Sequence, residues 1–150
     1  MALKNSQGGR AWNRWPRELA FRDAGAMAES RAELAEEIIF HQWMQFIFFT
    51  QWSAVKAHAN ANGIKIVGDI PIFIAYDSAD VWAHQDYFKL DLSSGAPPDT
   101  YFARGQRWGM PPYRWDRIAQ NEFDYLIQRL RYSQNFYDTF RIDHVIGVFR

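Results

Sequence analysis

Phe140-Arg141-Ile142-Asp143-His144 sets a basic and an acidic side chain two apart inside an apolar frame. In a strand, alternate side chains leave on opposite faces, so Arg141 and Asp143 project together while Phe140 and Ile142 pack behind them. A guanidinium beside a carboxylate favours the ionised form and fixes its orientation. A nucleophilic aspartate needs both. On spacing alone, a structural Arg–Asp pair is the commoner explanation.

Composition bounds what such a pair serves. The 150 residues carry 17 basic and 17 acidic side chains, a formal net charge of zero. That balance argues against a nucleic-acid partner or an acidic membrane surface. There is no cysteine, hence no disulfide and no thiolate metal site, which is compatible with a cytoplasmic location. His41 and His58 stand at no ligand spacing and no His-Glu-x-x-His pattern occurs, so no metal is expected. Serine-hydrolase elbows, Walker loops and dinucleotide fingerprints are missing as well, so no nucleotide cofactor is expected. Aromatics are the outlier, at 17% of the chain; most such rings build cores, yet they also suit stacking on sugars or bases. Residues 1–10 are polar and no apolar stretch follows them, so no secretory signal is read. The uncharged run from Ile38 to Val55 contains His41, Gln42, Gln45, Thr50, Gln51 and Ser53, each costly in hydrocarbon. It reads as a buried amphipathic helix rather than a membrane span.

The elements that must position the pair follow from periodicity and punctuation. Residues 1–15 read as a tail or loop, and 16–150 as the domain proper. A long helix is predicted from about Arg31 to Asn60. Ser30 and Glu33 have capping-box spacing, and Asn62-Gly63 is a stop signal. Its apolar positions Ile38, Trp43, Phe46, Ile47 and Trp52 are broad enough to face both a sheet and neighbouring helices. Ile64 to Val67 reads as a buried strand running into Gly68-Asp69. Residues 74–122 show no strong period, and so long a stretch in a compact domain points to function. A second amphipathic helix, Glu122 to Asn135, uses Phe123, Leu126, Ile127 and Leu130, and the Phe140 to His144 strand follows it. This βα alternation implies an α/β fold with a parallel sheet. Asp69 and Asp143 both fall at the C-terminal ends of strands, where parallel barrels place their chemistry. A partial barrel is the leading architecture and an open doubly wound sheet the alternative.

Ordered motifs sharpen this. They are Gly68-Asp69-Ile70-Pro71-Ile72-Phe73, Asp77-Ser78-Ala79-Asp80-Val81-Trp82, Pro97-Pro98-Asp99, Gly105-Gln106-Arg107-Trp108-Gly109, Pro111 to Tyr113, and Arg141-Ile142-Asp143-His144. With Trp15-Pro16 and Gln51-Trp52, the chain resembles the 4-alpha-glucanotransferase family, also called amylomaltase or disproportionating enzyme, over nearly everything after residue 10. The resemblance implies a (β/α)8 TIM barrel, of which this chain would be an internal piece around strands 3 and 4. It implies Asp143 as the nucleophile, Arg141 as the neighbour that orients it and keeps it ionised, and His144 as a sugar ligand. Tyr101, Gln106 and Trp108 would cover the bound glucan; Asp69 would organise a loop or touch sugar. The reaction implied is transfer of an alpha-1,4-glucan segment to the 4-hydroxyl of glucose or a malto-oligosaccharide. No metal or organic cofactor is implied, and the acid/base residue would lie on a strand absent from this chain.

The chain departs from the family pattern at Met110, where asparagine is usual, at Thr100, and at Val145-Ile146-Gly147. Two functional classes remain: a part of a glucan-transferring enzyme, or an inactive, truncated glucan-binding remnant. In either case the chain alone is expected to lack transferase activity. Ser78 and the aspartates beside it are expected chiefly to cap a helix through Trp82.

Overall fold

The computed structural model describes residues 1–144, and the chain divides into two units, Met1–Asn62 and Gly63–Arg150. The departure at Val145-Ile146-Gly147 lies outside the described residues.

The first unit is helical. Helices α1 (Ala2–Ser6), α2 (Arg17–Ala20), α3 (Ala24–Glu33) and α4 (Ala35–Ala61) follow one another, with a 3-10 turn at Trp12–Arg14. Residues 1–15 are therefore not a tail or loop: Ala2 and the Trp12 ring are both buried. An indole removes enough apolar area from water to order the short turns around it. The helix expected from Arg31 is also divided differently. Asp23 caps α3, its carboxylate accepting the Ala26 amide at 3.1 Å, and the helix breaks at Leu34 before α4 begins. Ser30 lies inside α3 and caps nothing. The acidic residues Glu36 and Glu37 in the first turn of α4 match the helix dipole. The stop is as read: Gly63 takes φ +74°, the left-handed geometry that glycine adopts at a helix end. Nothing on α4 is buried, contrary to the buried helix expected, and Ile39, Phe40, Trp43 and Phe46 are exposed. Among the described residues no helix is long and apolar enough to cross a membrane.

The second unit carries the sheets. Strands β1 (Val67–Ile70) and β4 (Thr139–Ile142) pair in parallel, with Asp69 opposite Arg141 and Ile70 opposite Ile142. Between them come α5 (Ala79–Ala83), a short antiparallel ribbon of β2 (Gly95–Ala96) and β3 (Gln106–Arg107), α6 (Trp115–Gln120) and α7 (Asp124–Ser133). The described residues form a mixed helix-and-strand structure with one two-stranded parallel sheet and no closed barrel. Strand β1 begins three residues later than its apolar run predicts. It starts where the partner does, after the Asp138 and Thr139 amides have bonded the Ile66 carbonyl at 2.9 and 3.3 Å.

The aperiodic stretch 74–122 is organised by side chains rather than by ladders. Val81, Phe88, Pro111, Tyr113 and Ile118 are the largest fully buried side chains, and all five lie in it. Phe88 and Tyr113 form an isolated antiparallel bridge with ring centroids 5.2 Å apart. Ser78 caps α5 as expected, its hydroxyl accepting the Val81 amide at 3.1 Å. Helix α7 turns a different face inward from the one expected. Tyr125 is buried, whereas Phe123 and Ile127 are exposed.

Candidate active site

Strand β1 delivers Asp69, and β4 delivers Arg141, at matched positions on neighbouring strands. Cross-strand neighbours in a ladder have side chains close enough to bond. Here Arg141 donates from Nη2 to Asp69 Oδ2 at 2.6 Å and from Nε to Asp69 Oδ1 at 3.3 Å. This is a two-pronged guanidinium–carboxylate contact, the geometry that arginine's planar fork favours. The same Nη2 also reaches Asp143 Oδ2 at 3.3 Å. Arg141 thus joins two carboxylates, Asp69 on β1 and Asp143 just past the end of β4.

The order of these contacts differs from the order expected. Sequence spacing pairs Arg141 with Asp143, two residues on; the shorter and doubled contact is to Asp69, expected to organise a loop or touch sugar. The Arg141 hydrogen bond holds the Asp69 carboxyl below the usual aspartate range; desolvation opposes it, and the charges of Arg141 and His144 add to the lowering. Reciprocally, bonding to Asp69 and the charges of Asp69 and Asp143 raise the Arg141 guanidinium further.

Just past β4 the backbone turns sharply. His144 takes φ +51°, a left-handed conformation uncommon for a residue with a Cβ, and such outliers cluster at functional sites. Its amide donates to Asp143 Oδ1 at 2.8 Å, leaving Nε2 4.0 Å from Asp143 Oδ2. The turn sets the imidazole 4.8 Å, centroid to centroid, from the Trp108 ring. Trp108 also meets Phe73 at 5.8 Å, and its indole N–H donates to Gln106 Oε1 at 3.0 Å.

A cavity of about 460 Å³ opens over this group. Asp69, Asp143 and His144 give it polar edges; Ile72, Phe73, Trp108 and Met110 give it an apolar wall. A saccharide ring has a C–H face and a rim of hydroxyls, and this division of surfaces suits one.

Four of the seven residues singled out from sequence thus line one cavity: Asp69, Trp108, Asp143 and His144. Arg141 sits beside it, bonded to both carboxylates. Gln106 is not in the lining and acts on Trp108 instead. Tyr101 is 89% exposed and is not among the lining residues either. Its backbone amide bonds Asp99 Oδ1 at 2.8 Å. Ile72 and Phe73 were missed as lining residues, although their place three and four residues after Asp69 in the Gly68–Phe73 motif was a usable signal. Among the described residues no group of three or more His, Cys, Asp or Glu could hold a metal.

The family model described as 4-alpha-glucanotransferase matches residues 1–150. A 4-alpha-glucanotransferase of Thermus thermophilus is 48% identical over 98% of this chain and 31% of its own length. One from Streptococcus pneumoniae is 41% identical over 98% of this chain and 30% of its own. Among solved structures, the amylomaltase from Streptococcus agalactiae in complex with acarbose superposes with a TM-score of 0.93 at 38% identity. That match covers 98% of this chain and 31% of the amylomaltase chain. The chain therefore spans about a third of the length of the relatives it matches.

Proposed function

Since the chain belongs to the 4-alpha-glucanotransferase family, we propose that its cavity is the nucleophile-bearing part of a glucan-transfer site. Asp143 is the nucleophile, set into the (β/α)8 barrel that the whole enzyme would form. The observation that carries this is Arg141, which bonds both Asp69 and Asp143 at the edge of a cavity walled by Trp108 and His144.

The chemistry proposed is retaining. An Asp143 oxygen bonds to the anomeric carbon of an alpha-1,4-glucan as the C1–O bond breaks, and a second carboxylic acid, about 5 Å away, gives the departing oxygen its proton. The 4-hydroxyl of an acceptor glucose or malto-oligosaccharide then attacks C1, displaces Asp143 and returns the proton. Arg141 keeps the nucleophile's carboxylate oriented, His144 binds sugar hydroxyls, and Trp108, held by Gln106, stacks on the ring. An aromatic wall also limits water, which competes with the acceptor for the intermediate.

Asp69 does not supply the acid. It is the other carboxylate in the lining, and its bond to Arg141 keeps it ionised near neutral pH. A general acid must carry its proton at the working pH. In this reading Asp69 positions Arg141, and the described residues hold a nucleophile without its partner acid. The chain on its own therefore binds glucan without transferring it.

The test is to titrate the 150-residue chain, carrying Ile39→Lys, Phe46→Glu and Phe48→Lys on α4 to keep it monomeric, with maltotriose while following the Trp108 indole N–H resonance, and to analyse the products. A saturable shift with no new oligosaccharides is expected. Absence of any shift would overturn the glucan reading, and appearance of glucose with longer oligosaccharides would overturn the claim of inactivity.

A further inference from the structure

Behind the cavity's apolar wall lies a set of polar contacts that the proposed chemistry does not use. Tyr113 is 1% exposed, and its hydroxyl donates to the Ile72 carbonyl. Arg129, on α7, donates from Nη1 to that hydroxyl at 3.2 Å and from Nη2 to the Pro71 carbonyl at 3.0 Å. Pro71 and Ile72 lie just beyond the last ladder pair, Ile70 with Ile142, and both line the cavity. Proline brings no N–H of its own, so this stretch is not held as a strand would be. It is held from behind, by one phenol and one guanidinium.

The donors suit the task. Burial pushes the Tyr113 hydroxyl up to about 12, opposed by the nearby Arg129, so it stays protonated as a donor across the neutral range. The Arg129 guanidinium lies 5.7 Å from the Tyr125 ring centre. Its partners among the described residues are a carbonyl, a hydroxyl and an aromatic face. A planar fork can serve both oxygens at once, which a lysine ammonium on a flexible stem does less well.

We infer that Arg129 and Tyr113 are positioning residues for the saccharide cavity: together they grip the Pro71 and Ile72 carbonyls and hold the wall on which a glucan rests. The inference rests on the glucan reading above. Asp69 stands two residues before Pro71 on the same segment, so slack in the wall also loosens the Asp69–Arg141 contact. The clamp therefore acts on both sides of the cavity, apolar and charged, while touching neither the sugar nor the nucleophile.

The experiment uses the 150-residue chain made monomeric by Ile39→Lys, Phe46→Glu and Phe48→Lys on α4, and compares it with the same chain carrying Tyr113→Phe, Arg129→Gln or Arg129→Lys. Two readouts are followed by NMR: the maltotriose Kd from the Trp108 indole signal, and the titration midpoint of the Asp69 carboxyl. Tyr113→Phe and Arg129→Gln are expected to weaken binding roughly tenfold, as loss of a hydrogen bond to a fixed acceptor does when the geometry depends on it. Arg129→Lys is expected to fall between them and the parent. The Asp69 midpoint is expected to rise towards the ordinary value. A merely structural role would reduce the amplitude of the folded signal and leave the Kd of the folded fraction unchanged. Should Tyr113→Phe fail to fold, the two Arg129 variants decide, because Arg129 also borders a solvent-open hollow on its outer side. Folded variants with the parent Kd and the parent Asp69 midpoint would overturn the inference. If the parent itself shows no maltotriose shift, the glucan reading fails, and an unmoved Asp69 midpoint then overturns the clamp by itself.

Discussion

Helix α4 leads to a prediction about the chain in solution. Ile39, Phe40, Trp43, Phe46, Phe48 and Val55 are each more than half exposed. Fully burying such a side chain gains about 1.5–3 kcal/mol, so half-exposed ones each leave about 1 kcal/mol unrealised and the six together roughly 6 kcal/mol. A whole domain is stable by only ~5–15 kcal/mol. At 100° per residue, Ile39, Trp43 and Phe46 share one side of the helix, while Phe48 and Val55 point to the opposite side. A helix apolar all round is designed for burial on every side. One partner covers only one side, so pairing leaves a second apolar side open and association continues past a dimer. We expect sedimentation velocity to show species that grow with concentration, together with a broad thermal transition. Placing lysine at Ile39 and glutamate at Phe46 should remove one side and stop the growth at small species; a further Phe48→Lys should favour monomer. A monodisperse parent monomer with a sharp cooperative melt would refute the reasoning.

The Asp69–Arg141 pair predicts a pH effect. Because the folded-state pKa of Asp69 is depressed, the pair's contribution is fully present above the unfolded value, near pH 4, and is lost as pH falls through the folded value. Carboxyl NMR should give a lower midpoint for Asp69 in the parent than in Arg141→Gln; equal midpoints would dismiss the pair as an energetic partner. At Gly68, a Cβ would overlap the ring of Tyr137, so Gly68→Ala should cost about 1–3 kcal/mol through overpacking. Chemical denaturation followed by near-UV signal would reveal it, and a neutral result would mean that the ring moves aside freely.

Which residues meet at the cavity was more legible in the sequence than which contacts they make. Arg141, Asp143 and His144 fall within four residues, and alternation correctly put the first two on one side. Asp69 was harder, because its partner lies 72 residues away and only the strand register brings them opposite. Nothing local in Gly68-Asp69-Ile70 announces that register, since strand bounds depend on the neighbour as much as on intrinsic preference. The helix stop at Gly63 and the Ser78 cap were legible because each is a local interaction between near neighbours. The break at Leu34 was not, because no glycine, proline or capping side chain marks it. Tyr101 illustrates the limit for aromatics: a loop residue's direction is set by backbone bonds such as those to Asp99, which its residue type does not announce.

The parallel pairing of β1 with β4 also has a kinetic side. The two strands meet over only four residues each, yet the chain between them must be gathered first. Closing a long loop is slow and is repaid only after the contact forms. The capped helices and the β2–β3 ribbon close short loops and are free to form early, and the Phe88–Tyr113 bridge can bring the ends of the intervening segment in. The bond between Asp69 and Arg141 then becomes a reporter of the last step: in a refolding experiment it should form late, after helical signal has returned, so that the residues with the most chemistry are the final ones to meet.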